Sequence, residues 1–330
     1  PPNTNQHTMG YGNYSFTAHA ALAAGRAHKA GSEVFTQQQC HALMNPKGLK
    51  VRECRDSQDH PDSLGIAFAL DVTGSMGSIP QMLAKEELPK FMKLITACGI
   101  AHPQLMFMAI GDANSDHASL QVGQFESTAE LMDQWLTWSY IEGGGGGTGH
   151  ESYELAFYVA AQHTDMDNMV KRKKKGYLFV TGDELPYPAV SRHHIEALIG
   201  DKLDEDIPIE EVIAVAAESY HLFFLIPDPE RGKKVAARWR ELLGDHTIQM
   251  ESPKDTCIVA AAIVGLTEGR VTDLDALAAA LSSDGVSSEH VGSTIRAIRD
   301  YATLLKLPGL TAAPATSSST ASPWWKRLFD

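Results

Sequence analysis

Three short stretches of this chain place hard oxygen donors directly after apolar runs. Asp71-Val72-Thr73-Gly74-Ser75 closes the run LGIAFAL, so alternate positions bring one carboxylate and two hydroxyls toward one point. Thr148 ends a run of five consecutive glycines, Gly143 to Gly147, just ahead of a helical pattern. That many glycines are costly in backbone entropy, a cost that makes sense where the backbone passes close to a bound ion or ligand. Asp183 follows the run YLFV within Thr181-Gly182-Asp183-Glu184. Asp, Thr and Ser oxygens, with no His or Cys among them, suit Mg²⁺ or Mn²⁺ in octahedral geometry with some coordinated water.

The elements that must carry these loops follow from the apolar runs. Ser63 to Asp71, Leu105 to Ile110, Tyr177 to Val180 and Leu222 to Ile226 are nearly all apolar, as strands buried on both faces are, and Thr247 to Met250 is a weaker fifth. Helical patterns over Ile79–Cys98, Glu151–His163, Pro208–Ser219, Lys233–Leu243 and Lys254–Gly265 separate them. The alternation predicts an α/β fold: a doubly wound, mostly parallel sheet with helices on both faces. The alternating segment Leu120 to Phe125 predicts one antiparallel edge strand. In such sheets ligands sit beyond the carboxyl ends of the strands, where all three loops fall.

Residues 1–62 read as an N-terminal extension with one helix over Ala18–Ala30, stopped by Gly31. Residues 63–268 form the α/β domain, and 269–307 a helical appendage with patterns at Leu274–Leu281 and Ser288–Leu305. Residues 308–330 are a flexible tail. Its end, Trp324-Trp325-Lys326-Arg327-Leu328-Phe329, has the aromatic and basic composition of a docking motif.

At 330 residues, 43% of them hydrophobic, the chain buries a sizeable core without disulfides or a structural metal. The net charge of −13 disfavours nucleic acid as a partner. Cys40, Cys54, Cys98 and Cys257 are widely spaced, so reduced thiols are expected. No run reaches about 18 apolar residues and no basic leader opens the sequence, which points to a cytoplasmic protein without membrane contact.

The pattern Asp71-x-Thr73-x-Ser75, then Thr148, then Asp183, in that order on strand ends, resembles the von Willebrand factor A (VWA) domain family and its metal-ion-dependent adhesion site (MIDAS). Thr73 stands where the family more often has Ser, and keeps the hydroxyl. The resemblance spans about Ser63 to Gly265. It implies an Mg²⁺ ion held by Thr73 and Ser75, by Thr148 directly or through water, and by Asp71 and Asp183 largely through water. The open position would take a Glu or Asp of a partner protein. Intracellular bacterial members of similar arrangement work beside AAA+ ATPases of the MoxR type, so the resemblance implies such a partner and an assembly or recruitment role.

Other side chains near these loops have simpler readings. Asp112 and Asp116 suit a solvated turn, Glu142, His150 and Glu151 the polarity of a helix start, and Glu184 the surface. Lys171 to Lys175 suits a solvated turn at the opposite pole, and His193-His194 a surface helix. The competing function is a metal-dependent hydrolase or phosphoryl-transfer enzyme using the same ion. Against it, the sequence offers no P-loop, no nucleophile elbow and no Lys or Arg beside the three loops. The chain therefore reads as a binding module, not an enzyme.

Overall fold

The computed structural model describes residues 12–74, 76, 78–143 and 147–307; Ser75 and the tail with Trp324 and Trp325 lie outside the described residues. Six strands form the central sheet: β1 (Leu64–Asp71), β2 (Pro103–Ile110), β3 (Leu120–Val122), β4 (Gly176–Thr181), β5 (Tyr220–Ile226) and β6 (Thr247–Gln249). Their order is β6-β5-β4-β1-β2-β3, parallel throughout except for β3, which runs antiparallel to β2. The expected α/β architecture is thus present, antiparallel edge included. The strand order reverses direction between β1 and β4, so Asp71 and Thr181 end neighbouring strands at the topological switch point, where such sheets bind ligands.

Register decides what each face carries. Phe107, Phe68, Phe179 and Phe223 occupy matching positions on β2, β1, β4 and β5, and their rings stack across the sheet at 6.0, 5.4 and 5.4 Å. This face packs against Leu88–Ala97 and Thr256–Thr267. On the other face Ala67 and Ala69 are small and leave room for the aromatic side chains of helix Glu154–Gln162 and its preceding turn. There Trp239 stacks on Phe224 at 3.6 Å, and Tyr153 meets both rings edge-on.

Several boundaries differ from the periodicity. The stretch Ile79–Cys98 is three pieces: a helix Ser78–Met82, a π-turn Leu83–Glu87 and a helix Leu88–Ala97. Pro89 lacks an N–H and its ring crowds the preceding turn, and the chain answers with the wider hydrogen bond from Leu88 N–H to the Leu83 carbonyl. The first helix ends at Ala24, with Gly25 at its C-terminal cap, ahead of Gly31. Strand β3 is assigned only to Val122; Gly123 N–H still bonds to the Phe107 carbonyl at 2.8 Å, and the chain meets β2 again at the bridge Leu105–Glu126. Helix Pro229–Leu243 begins four residues before the expected Lys233, since Asp228 caps it by accepting from Glu230 N and Arg231 N, and Pro229 fits the first turn.

The basic run Lys171–Lys175, with Lys171 and Lys173 exposed at a helix end, is also tied into the fold. Arg172 pairs with Asp56 at 2.7 Å and donates to the Ser63 carbonyl at 2.6 Å; Lys171 pairs with Asp167, Lys174 with Glu268, and Lys175 reaches the Ala217 carbonyl. Residues 12–62 lie against the domain. Arg26 bridges to Asp133, and Arg52–Cys54 pairs in parallel with Thr164–Met166. Met44 lends its carbonyl to Val122 N–H and Arg52 donates to the Val122 carbonyl, so both meet the end of β3, while Lys47 and Gly48 between them bond to Glu196, Ala197 and Ile199. All four cysteines are free, and no described helix is long and apolar enough to cross a membrane.

Gly65 and Gly176 form one shallow groove across β1 and β4 that Met166 fills. A methyl added at Gly176 would lie 2.7 Å from both the Gly65 carbonyl and the Met166 sulfur. Gly176→Ala is expected to destabilise the fold by about 1–3 kcal/mol through overpacking. Urea denaturation measures this, and an unchanged midpoint would contradict the tight strand approach.

Candidate functional site

Asp71 is the last residue of β1 and has no exposed surface. One carboxylate oxygen accepts from Thr73 N–H at 2.9 Å and from the Thr73 hydroxyl at 2.6 Å, closing a tight turn at the strand end. The other accepts from the Tyr153 hydroxyl at 2.6 Å. Thr73 is itself 2% exposed, so carboxylate and hydroxyl are fixed together. The glycine loop comes to the same strand end through Gly143 N–H, which donates to the Val72 carbonyl at 3.3 Å.

Gly143, Gly147 and Gly149 have φ of +66°, +64° and +75°, a backbone region that side chains disfavour, so this part of the loop needs glycine for its shape. Thr148 is exposed between the last two. Its hydroxyl donates to the His150 carbonyl and accepts from His150 N–H, and it also meets the Tyr187 hydroxyl. The next residues, His150–Glu151, are a short strand paired with Leu185–Pro186, not a helix start. That pairing ties the glycine loop to the segment after Asp183.

Asp183 follows β4 and is 3% exposed. The Tyr153 hydroxyl accepts from Asp183 N–H at 3.3 Å and from Glu184 N–H at 3.4 Å while donating to Asp71. Gly182 makes this possible, since a side chain there would lie 2.4 Å from that oxygen. Tyr153 therefore joins the first and third loops. Nothing in its sequence spacing marked it; the available signal was only that a buried tyrosine seeks a partner for its hydroxyl.

The structure brings Asp71, Thr73 and Asp183 together around Tyr153, places Thr148 on the rim beside Tyr187, and leaves Ser75 outside the described residues. It also corrects two expectations. Asp112 is fully buried, not in a solvated turn, and takes hydrogen bonds from Asn114, Ser115 and Tyr187. A cation does stand beside the loops: Arg231, from the first turn of Pro229–Leu243, donates to Asp183 at 2.5 Å and to Glu184 at 3.5 Å.

The electrostatics of this pole are those of a crowded anion. Burial, reinforced by Asp183, pushes the Asp71 carboxyl up to about 6 despite the hydrogen bonds from Thr73 and Tyr153 that favour its charge. Burial also pushes Glu151 up to about 9, with Asp71, Asp116, Asp112 and Glu184 adding repulsion, and one of its buried oxygens has no partner. Glu154, with one buried oxygen likewise unpartnered, is raised well above the usual range by burial. No three His, Cys, Asp or Glu side chains among the described residues form a metal cluster by themselves. A cation here would need the mixed carboxylate and hydroxyl set. The hard donors Asp71, Thr73 and Asp183 and the orphaned Glu151 oxygen fit a divalent ion in chemistry and in charge.

No family model and no curated protein sequence matches this chain. Among solved structures, the pilus adhesin SpaC from Lactobacillus rhamnosus GG in its open conformation aligns with 68% of this chain and 31% of its own, at 11% identity and TM-score 0.42. The von Willebrand factor type A structure from Catenulispora acidiphila aligns with 63% of this chain and 43% of its own, at 10% identity and TM-score 0.36. The SpRpn10 VWA domain aligns with 60% and 94%, at 8% identity and TM-score 0.32. The chain thus spans under a third of the adhesin's length, and none of these likenesses assigns a residue of the site.

The raised carboxyls make stability depend on pH. Glu151 keeps its proton in the folded state up to about 9, whereas an ordinary glutamic acid loses it near 4.5, so folding stability falls as pH rises through that window. Asp71 adds a fall in the same direction between 3.8 and about 6. Glu151→Gln removes the Glu151 contribution. In melts at pH 5, 7 and 9 without divalent ions, the variant should lose less stability than the wild type as pH rises. Parallel curves would refute the assignment.

Proposed function

We propose that this chain is a protein-binding module that uses a divalent ion, Mg²⁺ or Mn²⁺, to capture a Glu or Asp side chain of a partner protein. The observation that carries this reading is the Asp71 carboxylate, buried at the switch point and joined to the third loop through Tyr153. Asp71, Thr73, Ser75, Thr148 and Asp183 would hold the ion. When bound, the ion supplies a hard positive centre with room for one further anionic oxygen.

The residues of the chain divide the remaining work. Thr73 and Tyr153 fix both oxygens of Asp71, so the carboxylate is oriented before anything binds. Burial of Asp71 and Asp183 keeps water from screening their charge. Thr148, exposed on a glycine-shaped rim, is where a partner would arrive. The carboxylates of Asp71, Asp112, Asp116 and Glu184, whose repulsion Glu151 feels, disfavour the unaided approach of an acidic ligand. A cation is the natural mediator. The metal-dependent hydrolase reading gains a nearby guanidinium in Arg231, yet that group is committed to Asp183 and Glu184.

Co-purification with and without EDTA tests the reading: partners should be lost with the chelator. Asp71→Ala and Asp183→Ala should each lower Mn²⁺ affinity by at least tenfold in calorimetry while the fold persists. Unchanged affinity in both would remove the site assignment. Thr148→Ala should weaken partner capture more than ion binding, since water can fill its coordination position. Equal loss of both would contradict that division.

A further inference from the structure

We propose that Arg231 is a built-in competitor for the cation site: in the metal-free protein its guanidinium holds the Asp183 carboxylate, and a divalent ion has to displace it to bind. The inference rests on the metal reading above and concerns what sets the affinity of that site. The guanidinium lies 2.5 Å from one Asp183 oxygen and 3.5 Å from Glu184. Two cations beside one buried carboxylate repel each other, so the guanidinium and a divalent ion compete for Asp183.

The two partners differ in their freedom to move. The Asp183 side chain is 1% exposed and belongs to a loop whose N–H groups are held by Tyr153, whereas the Arg231 side chain is 39% exposed and has a route to water. Its backbone, by contrast, is fixed. Asp228 caps the first turn, and a side chain at the neighbouring Gly232 would lie 3.1 Å from Ile226, so the helix start is pressed on the end of β5. Displacement therefore means rotation of one side chain, with no movement of helix or loop. Glu184, at 3.5 Å, is its other ion-pair partner among the described residues and offers the displaced guanidinium a place to turn to. The same contact explains how the metal-free site tolerates its carboxylates, since the guanidinium offsets part of the charge that Asp71, Asp183 and Glu184 bring.

Calorimetry of the full chain with Mn²⁺ separates the possibilities. Arg231→Ala should bind on the order of tenfold more tightly than the wild type, a typical coupling between exclusive ligands. Arg231→Lys keeps the charge, loses the planar fork and should fall between. In the wild type, the side-chain Nε–H resonance of Arg231 should shift during the titration with the midpoint of ion binding, a readout that needs no variant to fold. Equal or weaker binding in Arg231→Ala, or an unmoved resonance while the ion binds, overturns the inference and leaves the metal site standing; there Arg231 would be a clamp that positions Asp183. Absence of ion binding in wild type and variants alike overturns the metal reading itself.

Discussion

Asp71 is a carboxylate with no exposed surface at the end of the central strand, and a charge so placed has to be met by donors arriving from other elements. Thr73 meets it from the following turn and Tyr153 from the start of the next layer of helix. Because the Tyr153 hydroxyl also receives the N–H groups of Asp183 and Glu184, the distance between the first and third loops is fixed by one oxygen atom. Gly182 is glycine for the sake of that oxygen. The glycine loop is then tied to the third loop by the pairing of His150–Glu151 with Leu185–Pro186. Each loop is positioned with reference to the buried carboxylate, directly or at one remove.

The sheet beneath gives this pole a rigid base. Four phenylalanines at matching register positions stack across β2, β1, β4 and β5, while the alanines opposite them admit Tyr153, Phe157 and Trp239 close to the strands. Small residues at Ala67 and Ala69 on β1 leave Tyr153 room to come near the strand ends. Close packing of this kind leaves side chains little room to change rotamer, so orientation at the site is set by the core.

The strands are legible because burial on both faces removes polar residues from them, and that in turn puts the three loops at strand ends, where such sheets place ligands. Helix starts were less so. Reading the helix from Lys233 ignored Asp228-Pro229, a cap and first-turn pair that begins it earlier, and that omission hid Arg231 on the loop side of the boundary. Asp112 in a turn reads as solvated, because charge in a turn usually is; in the fold it is buried and accepts from the Tyr187 hydroxyl, 75 positions away in sequence. Tyr153 was invisible for the same reason, since its partners come from two distant loops and no local spacing encodes them.

Both margins of the sheet are closed to growth. Beside β3, the Met44 carbonyl and the Arg52 guanidinium occupy the hydrogen-bonding groups of Val122 that another strand would need. Beside β6, only three residues long, stand Arg240 with Asp300 and Arg296 with Glu251, charged groups that a flat incoming strand would have to strip of water. For the binding module proposed above, an open margin would let any passing chain adhere by backbone alone. Closing both confines adhesion to side-chain chemistry, where it can be selective.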